Sequence, residues 1–120
     1  MAENQLVVLS RAFAVSIIKL CDSAKENKPG GGLLNQLLRA GTSIGANIHE
    51  ANYASSRADF VNKLRIALKE CYETEYWLDV FLESGIISRE EHKEAYSKCS
   101  KIRVLLIASI NTANENSLKQ

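Results

Sequence analysis

Proline occurs only once in this sequence, as Pro29, and the six glycines gather at a few points. A chain so poor in turn formers does not suit a β-sandwich or barrel, which must reverse every few residues; it suits long helices. Histidine is nearly as scarce, with only His49 and His92. A di-metal carboxylate centre in a helical bundle needs two Glu-x-x-His pairs. Ala46 stands three residues before His49 and Arg89 three before His92, so that centre is excluded on inventory. Nothing in the sequence points to a histidine held between a nucleophile and a carboxylate, as a hydrolytic triad requires. The longer Arg-to-His spacing of helical ribonucleases of the HEPN type is missing too, because Arg89-x-x-His92 is too short. Both histidines read as surface side chains.

Cysteine is sparse and odd in number: Cys21, Cys71 and Cys99 are far apart and form no C-x-x-C pair. That pattern predicts buried free thiols in a reducing cytosol, with zinc as the weaker alternative. There is no excess of one charge. Fifteen basic residues meet fourteen acidic ones, leaving +1, so no global field draws the chain to nucleic acid or to an anionic membrane. There is no long apolar run either, since Val104 to Ile110 is far short of the ~20 residues a membrane-spanning helix needs. Met1 to Gln5 carries Glu3 and no basic segment, which argues against a signal peptide.

What the sequence does have is helical periodicity. At 46% hydrophobic and 24% charged residues, its composition is that of a folded globular chain rather than a disordered one. Residues 1–120 are of single-domain size. Leu6, Leu9, Phe13, Ile17, Leu20 and Ala24 recur at three- and four-residue steps, predicting a helix over about 3–28 that stops at Lys28-Pro29-Gly30-Gly31-Gly32. Leu34, Leu37, Leu38, Gly41, Ile44, Gly45 and Ile48 mark a second over about 33–53. Its two internal glycines cost ~1 kcal/mol each relative to alanine, which points to a close helix approach. Ser56-Arg57-Ala58-Asp59, a capping-box variant, opens a third helix over about 56–84, with Phe60, Leu64, Ala67, Cys71, Thr74, Leu78 and Leu82 inward and Gly85 as its stop. Ser88-Arg89-Glu90-Glu91 is a fuller capping box and opens a fourth over about 88–114, with Ala95, Cys99, Ile102, Leu106, Ser109 and Ala113 inward and a fraying polar tail after Asn114. Four such helices with short connections predict an all-α, antiparallel up-and-down four-helix bundle.

Some apolar residues fall on the side away from these stripes. They are Val8 and Val15 on the first helix, Val61, Tyr72, Tyr76 and Val80 on the third, and Val104 and Ile107 on the fourth. Either the bundle self-associates through them, or its core is thicker than a simple wheel implies. The second helix shows the reverse, a polar stripe of Arg39, Ser43, Asn47 and Glu50 opposite its core side. It is a solvated face, a polar seam at a subunit contact, or a ligand-facing surface; Arg39 and Glu50 could supply a forked donor and an acceptor. Gly30-Gly31-Gly32 lacks the Lys-Ser/Thr of a phosphate-binding loop and reads as a flexible turn.

Support for nucleic-acid binding is mixed. Residues 86–120 carry six basic and four acidic side chains, residues 55–85 four and six, and the pairs Glu94 with Lys98 and Asp59 with Lys63 cancel locally. No alternation of aromatic and basic residues signals a stacking platform. In an oligomer, Arg11 with Lys19 or Lys98 with Lys101 could be gathered into a ring of basic patches.

The stretch Gln36-Leu37-Leu38-Arg39-Ala40-Gly41-Thr42-Ser43-Ile44-Gly45-Ala46-Asn47-Ile48-His49-Glu50-Ala51 resembles the signature of the bacterial four-helix bundle protein family, known as the 23S ribosomal RNA intervening-sequence protein or as a ribosomal protein. The likeness continues through Ser56-Arg57-Ala58-Asp59-Phe60, Lys63-Leu64-Arg65-Ile66-Ala67-Leu68-Lys69-Glu70 and Glu73-Thr74-Glu75-Tyr76-Trp77-Leu78, covering about residues 4–114. The resemblance implies an up-and-down bundle assembling as a homopentamer. Some relatives are encoded within intervening sequences of ribosomal RNA genes, and a related accessory protein of diversity-generating retroelements binds nucleic acid and a reverse transcriptase through a basic surface. The family brings no catalytic residues. Arg39, Asn47 and Glu50 match its motif and are assigned to architecture.

The sequence thus leads to a non-enzymatic, cytoplasmic homo-oligomeric scaffold or adaptor that contacts RNA or a nucleoprotein, with no cofactor and no metal. The alternative is a purely structural or protein-binding oligomer. A third reading is an enzyme whose site forms between subunits.

Overall fold

The structure, a computed structural model, describes residues 2–27, 29, 30 and 32–119. Four helices account for nearly all of it: α1 (Ala2–Ala24), α2 (Leu34–Ala51), α3 (Arg57–Glu83) and α4 (Arg89–Lys119). Among the described residues there is no strand.

The turns follow local chemistry. α1 gives way to a short 3-10 turn over Lys25–Asn27, three residues before the expected stop. Lys28 and Gly31 of the expected breaker lie outside the described residues. The Asn27 side-chain amide ties this corner to the next one by donating to the Ile86 carbonyl at 2.6 Å. At the start of α3 the Ser56 hydroxyl accepts the Asp59 amide at 3.1 Å, but the Asp59 carboxylate takes the Ser55 amide rather than closing a box on Ser56. The box at Ser88 does close, its amide on Glu91 at 2.8 Å and the Glu91 amide on its hydroxyl at 3.1 Å. α3 ends in a Schellman turn. Gly85 has φ +76°, its amide reaches the Leu82 carbonyl, and the Ile86 amide reaches that of Phe81.

Contacts of opposite sense along the helices fix the up-and-down order. Gly41 lies against Ile17 and Gly45 against Ser10; Arg39 reaches Glu70 while Glu50 reaches Lys63; Asp79 meets His92 while Arg57 meets Ala113. α1 touches α2 and α4, α3 touches the same two, and α1 and α3 are diagonal. Phe13, Phe81, Leu6, Ile17, Leu37, Ile44, Leu78, Ile102 and Leu106 fill the axis. The glycines of α2 serve as expected, bringing its backbone close against α1.

Three expectations need correction. α4 does not end near Asn114 but is helical to Lys119, since no glycine or proline stops it and polarity alone does not end a helix. Val61, expected on an outer face, is buried in the core. It sits about 100° round α3 from the centre of the inward stripe, on the flank that α4 covers near Asn114. Lys63 pairs with Glu50 of α2 at 3.2 Å and not with Asp59 one turn away.

The three thiols are buried and unpaired by disulfides, as expected. Burial pushes Cys21 from its ordinary 9.0 up to about 11, with Lys25 pulling weakly the other way. Contact with Cys71 and burial push Cys99 up as well. Because a raised thiol pKa favours the folded state only while the group is protonated, the stability due to Cys21 is complete below pH 9.0 and is lost towards about pH 11. Native protein at neutral pH should therefore leave a thiol-specific disulfide reagent unreacted, with all three groups titrating once denaturant is added. A thiol that reacts at the free-cysteine rate in the native state would contradict this.

Candidate functional site

The two ends of the polar stripe of α2 reach across to α3. Arg39 donates one guanidinium nitrogen to Glu70 at 3.1 Å and another to Glu73, bridging α2 and α3. The Ser43 hydroxyl returns to the Arg39 carbonyl at 2.6 Å, and the Asn47 amide to the Ser43 carbonyl at 2.8 Å. Glu50 closes the lower end on Lys63. Arg39 and Glu50 thus bridge to α3, while Ser43 and Asn47 bond back to carbonyls of α2 itself. Glu70 is pushed up, first by burial, while Glu73 is pulled down, first by its hydrogen bond with Glu70 and then by Arg39. The two carboxyls are thus pushed in opposite directions around one guanidinium.

A second polar group, unmarked in the sequence reading, lies on the α3–α4 seam. Glu75 is only 7% exposed, and its Oε2 accepts both the Ser100 hydroxyl at 3.1 Å and the Arg103 Nε at 3.0 Å. The Arg103 guanidinium lies 5.7 Å from the Tyr72 ring centre. A turn further along, His92 Nε2 meets Asp79 at 2.8 Å and its ring stacks on Tyr96 at 5.1 Å. Burial, then Glu75 and Asp79, push the Tyr96 hydroxyl up. His92 is thus half-buried and partnered, not the plain surface side chain expected; His49 is exposed. The signal for Glu75 was present: it stands four residues after Cys71 and three before Leu78, both core positions.

Of the apolar residues expected on outer faces, Tyr72, Tyr76 and Val104 are exposed, as are Val8 and Val15 on α1, joined there by Ile18. Val80 and Ile107 are half-buried, Val80 packed on the core. The basic residues divide too. Arg11, Lys19 and Lys101 are exposed with no ion pair among the described residues, whereas Lys98 is held by Glu94 at 3.0 Å.

A concavity of about 740 Å³ lies where the end of α2 meets the start of α3 and the last turns of α4. Phe60, Leu105, Ala108, Ser109 and Thr112 line it, and Arg57 at its rim is tied to the Ala113 carbonyl at 3.3 Å. Among the described residues no cluster of His, Cys, Asp and Glu could hold a metal ion, and no helix is long and apolar enough to cross a membrane.

Comparison with known proteins agrees with this architecture. No curated protein matches the chain. A crystal structure of a protein with unknown function from the S23 ribosomal protein family of Bacteroides thetaiotaomicron VPI-5482 is similar at 44% identity and a TM-score of 0.88, over 92% of this chain and 99% of that one. Residues 2–108 match the family model of the 23S rRNA-intervening sequence protein. With helix signature, bundle and family model in agreement over most of its length, the chain belongs to the 23S rRNA-intervening sequence protein family.

Proposed function

We propose that this protein is a non-enzymatic cytoplasmic scaffold or adaptor that works as an assembly of identical subunits and contacts RNA or a nucleoprotein through surfaces the assembly creates. The observation that carries the reading is the outer side of α1, where Val8, Val15 and Ile18 are 67%, 47% and 51% exposed. Their spacing of seven and then three residues is that of a helix-pairing seam. On α4, Val104 is 59% exposed with Ile107 half-buried beside it, a different apolar face of the same molecule. Two unlike faces that bury each other make a heterologous contact, and such contacts close into rings when the rotation allows. The pentamer implied by the family signature is a ring of this kind.

The test is the mass in solution at low micromolar concentration. Wild type should run as a multiple of 13.3 kDa, and Val15→Glu, which places a carboxylate in the seam, should run as the single chain. A wild type that is monomeric overturns the assembly. The RNA half of the reading is separate: retention on RNA must weaken steeply with salt, and no retention at low salt leaves the structural oligomer in its place.

A further inference from the structure

The outer face of α3 sets two features side by side. Arg65 and Lys69 are exposed one turn apart, with no ion pair among the described residues. Tyr72 and Tyr76 continue the same face at the next two turns, 51% and 59% exposed. The steps of four, three and four put all four side chains on one strip about 16 Å long. Like charges at i and i+4 repel, so this pair is left uncompensated. The nearby carboxylates are already committed, Glu73 to Arg39, Glu75 to Arg103 and Asp79 to His92; exposed Glu83, beyond Tyr76, ends the strip. Both rings are braced, Tyr72 by the Arg103 guanidinium and Tyr76 edge-on to Trp77 at 5.1 Å.

We propose that the strip Arg65–Lys69–Tyr72–Tyr76 binds single-stranded RNA, the two cations taking backbone phosphates and the two tyrosine rings each receiving an unstacked base. The inference rests on the RNA half of the function proposed above and supplies its site. Free cations beside exposed rings are the elements of a single-strand platform. A duplex, whose bases are already stacked, offers the rings nothing. The outer face of α1 itself carries exposed Arg11 and Lys19, which do not complement two further cations.

Titration of the intact protein with a fluorescent single-stranded oligouridylate of about 12 nucleotides tests the strip. Tyr72→Ala and Tyr76→Ala should each weaken binding about 5- to 100-fold and leave the salt dependence unchanged, while Tyr→Phe at either position stays close to wild type. Arg65→Gln and Lys69→Gln should each flatten the slope of log affinity against log salt by about 0.7. The same RNA in a duplex should bind more weakly than the single strand. If wild type binds the single strand and the Tyr→Ala variants bind it equally well, the strip is wrong and the RNA reading survives. No binding by wild type at low salt overturns both. A fall in assembled mass on Tyr→Ala would make the strip a contact between copies and overturn it in that way.

Discussion

Arg103→Ala should destabilise the fold by about 3 kcal/mol, equivalent to a drop of about 10–15 °C in Tm, measured by thermal and urea unfolding. The reason is what the substitution leaves behind. Glu75 has a side chain 9% exposed, and both of its hydrogen bonds fall on one oxygen. Without the guanidinium the carboxylate keeps Ser100 alone and stays buried with its charge uncompensated. The loss is set at the lower end for buried pairs because about a quarter of the Arg103 side chain (26%) is exposed, so water can reach the site. Replacing both partners with apolar residues, Glu75→Leu with Arg103→Met, should recover most of the loss, since desolvation then costs nothing. If Arg103→Ala alone melts within a degree of wild type, the pair is not the lock of the α3–α4 seam. The variant also removes the cation beside Tyr72, so any loss of RNA affinity it shows must be compared with the tyrosine variants at equal folded fraction.

Gly41→Val should cost ~3 kcal/mol or more, and Gly41→Ala about 1–2 kcal/mol, despite alanine's better helix propensity. A β-carbon at Gly41 would stand 2.9, 3.0 and 3.3 Å from Cγ2, Cγ1 and Cβ of Ile17. Ile17 cannot swing away: it is fully buried, and a β-branched side chain in a helix has essentially one rotamer. The two helices must separate, which opens the packing along α1 and α2. Truncating Ile17 to alanine should then cost less in the Gly41→Ala background than in wild type, a coupling measurable in a double-mutant cycle. Gly30→Ala is the control: nothing lies within 4 Å of its would-be β-carbon, and the change should stay within about 0.5 kcal/mol. Equal effects at Gly41 and Gly30 would mean that the close approach does not govern stability.

The bundle was legible because its determinants are local. The steps of Leu6, Phe13 and Ile17, or of Leu34, Leu37, Ile44 and Ile48, declare one face of a helix whatever packs on it, and these residues are buried. The hydroxyl cap at Ser56, the box at Ser88 and the stop at Gly85 act within a few residues, so their positions were readable to the residue. The end of α4 is less legible, because the polar tail after Asn114 carries no stop signal of its own. Polarity determines which side of a helix meets water, not whether it is a helix.

The candidate site was legible only in pieces. Arg39, Ser43, Asn47 and Glu50 formed a visible stripe, but its partners Glu70, Glu73 and Lys63 belong to another helix. Tyr72 and Tyr76 are outward on a helical wheel, whereas Arg65 and Lys69 show in the sequence only through the charge balance and the family likeness. An alternation test along the chain misses them, because their neighbourhood is a helical one at steps of three and four.

The sequence by itself determined that this chain makes four amphipathic helices, where three of their ends lie, and that two glycines of α2 invite a close neighbour. Each of these depends on residues within a turn or two of one another. Only the tertiary structure decided that Val61 and Glu75 are buried, that Lys63 answers Glu50 rather than Asp59, and that Arg39 of the α2 stripe bridges to α3. Those outcomes depend on how far α4 runs and how the helices are staggered. A helical wheel gives the direction of a side chain but not its height along the axis, and it is at that height that a neighbour covers it, pairs with it, or leaves it to the solvent.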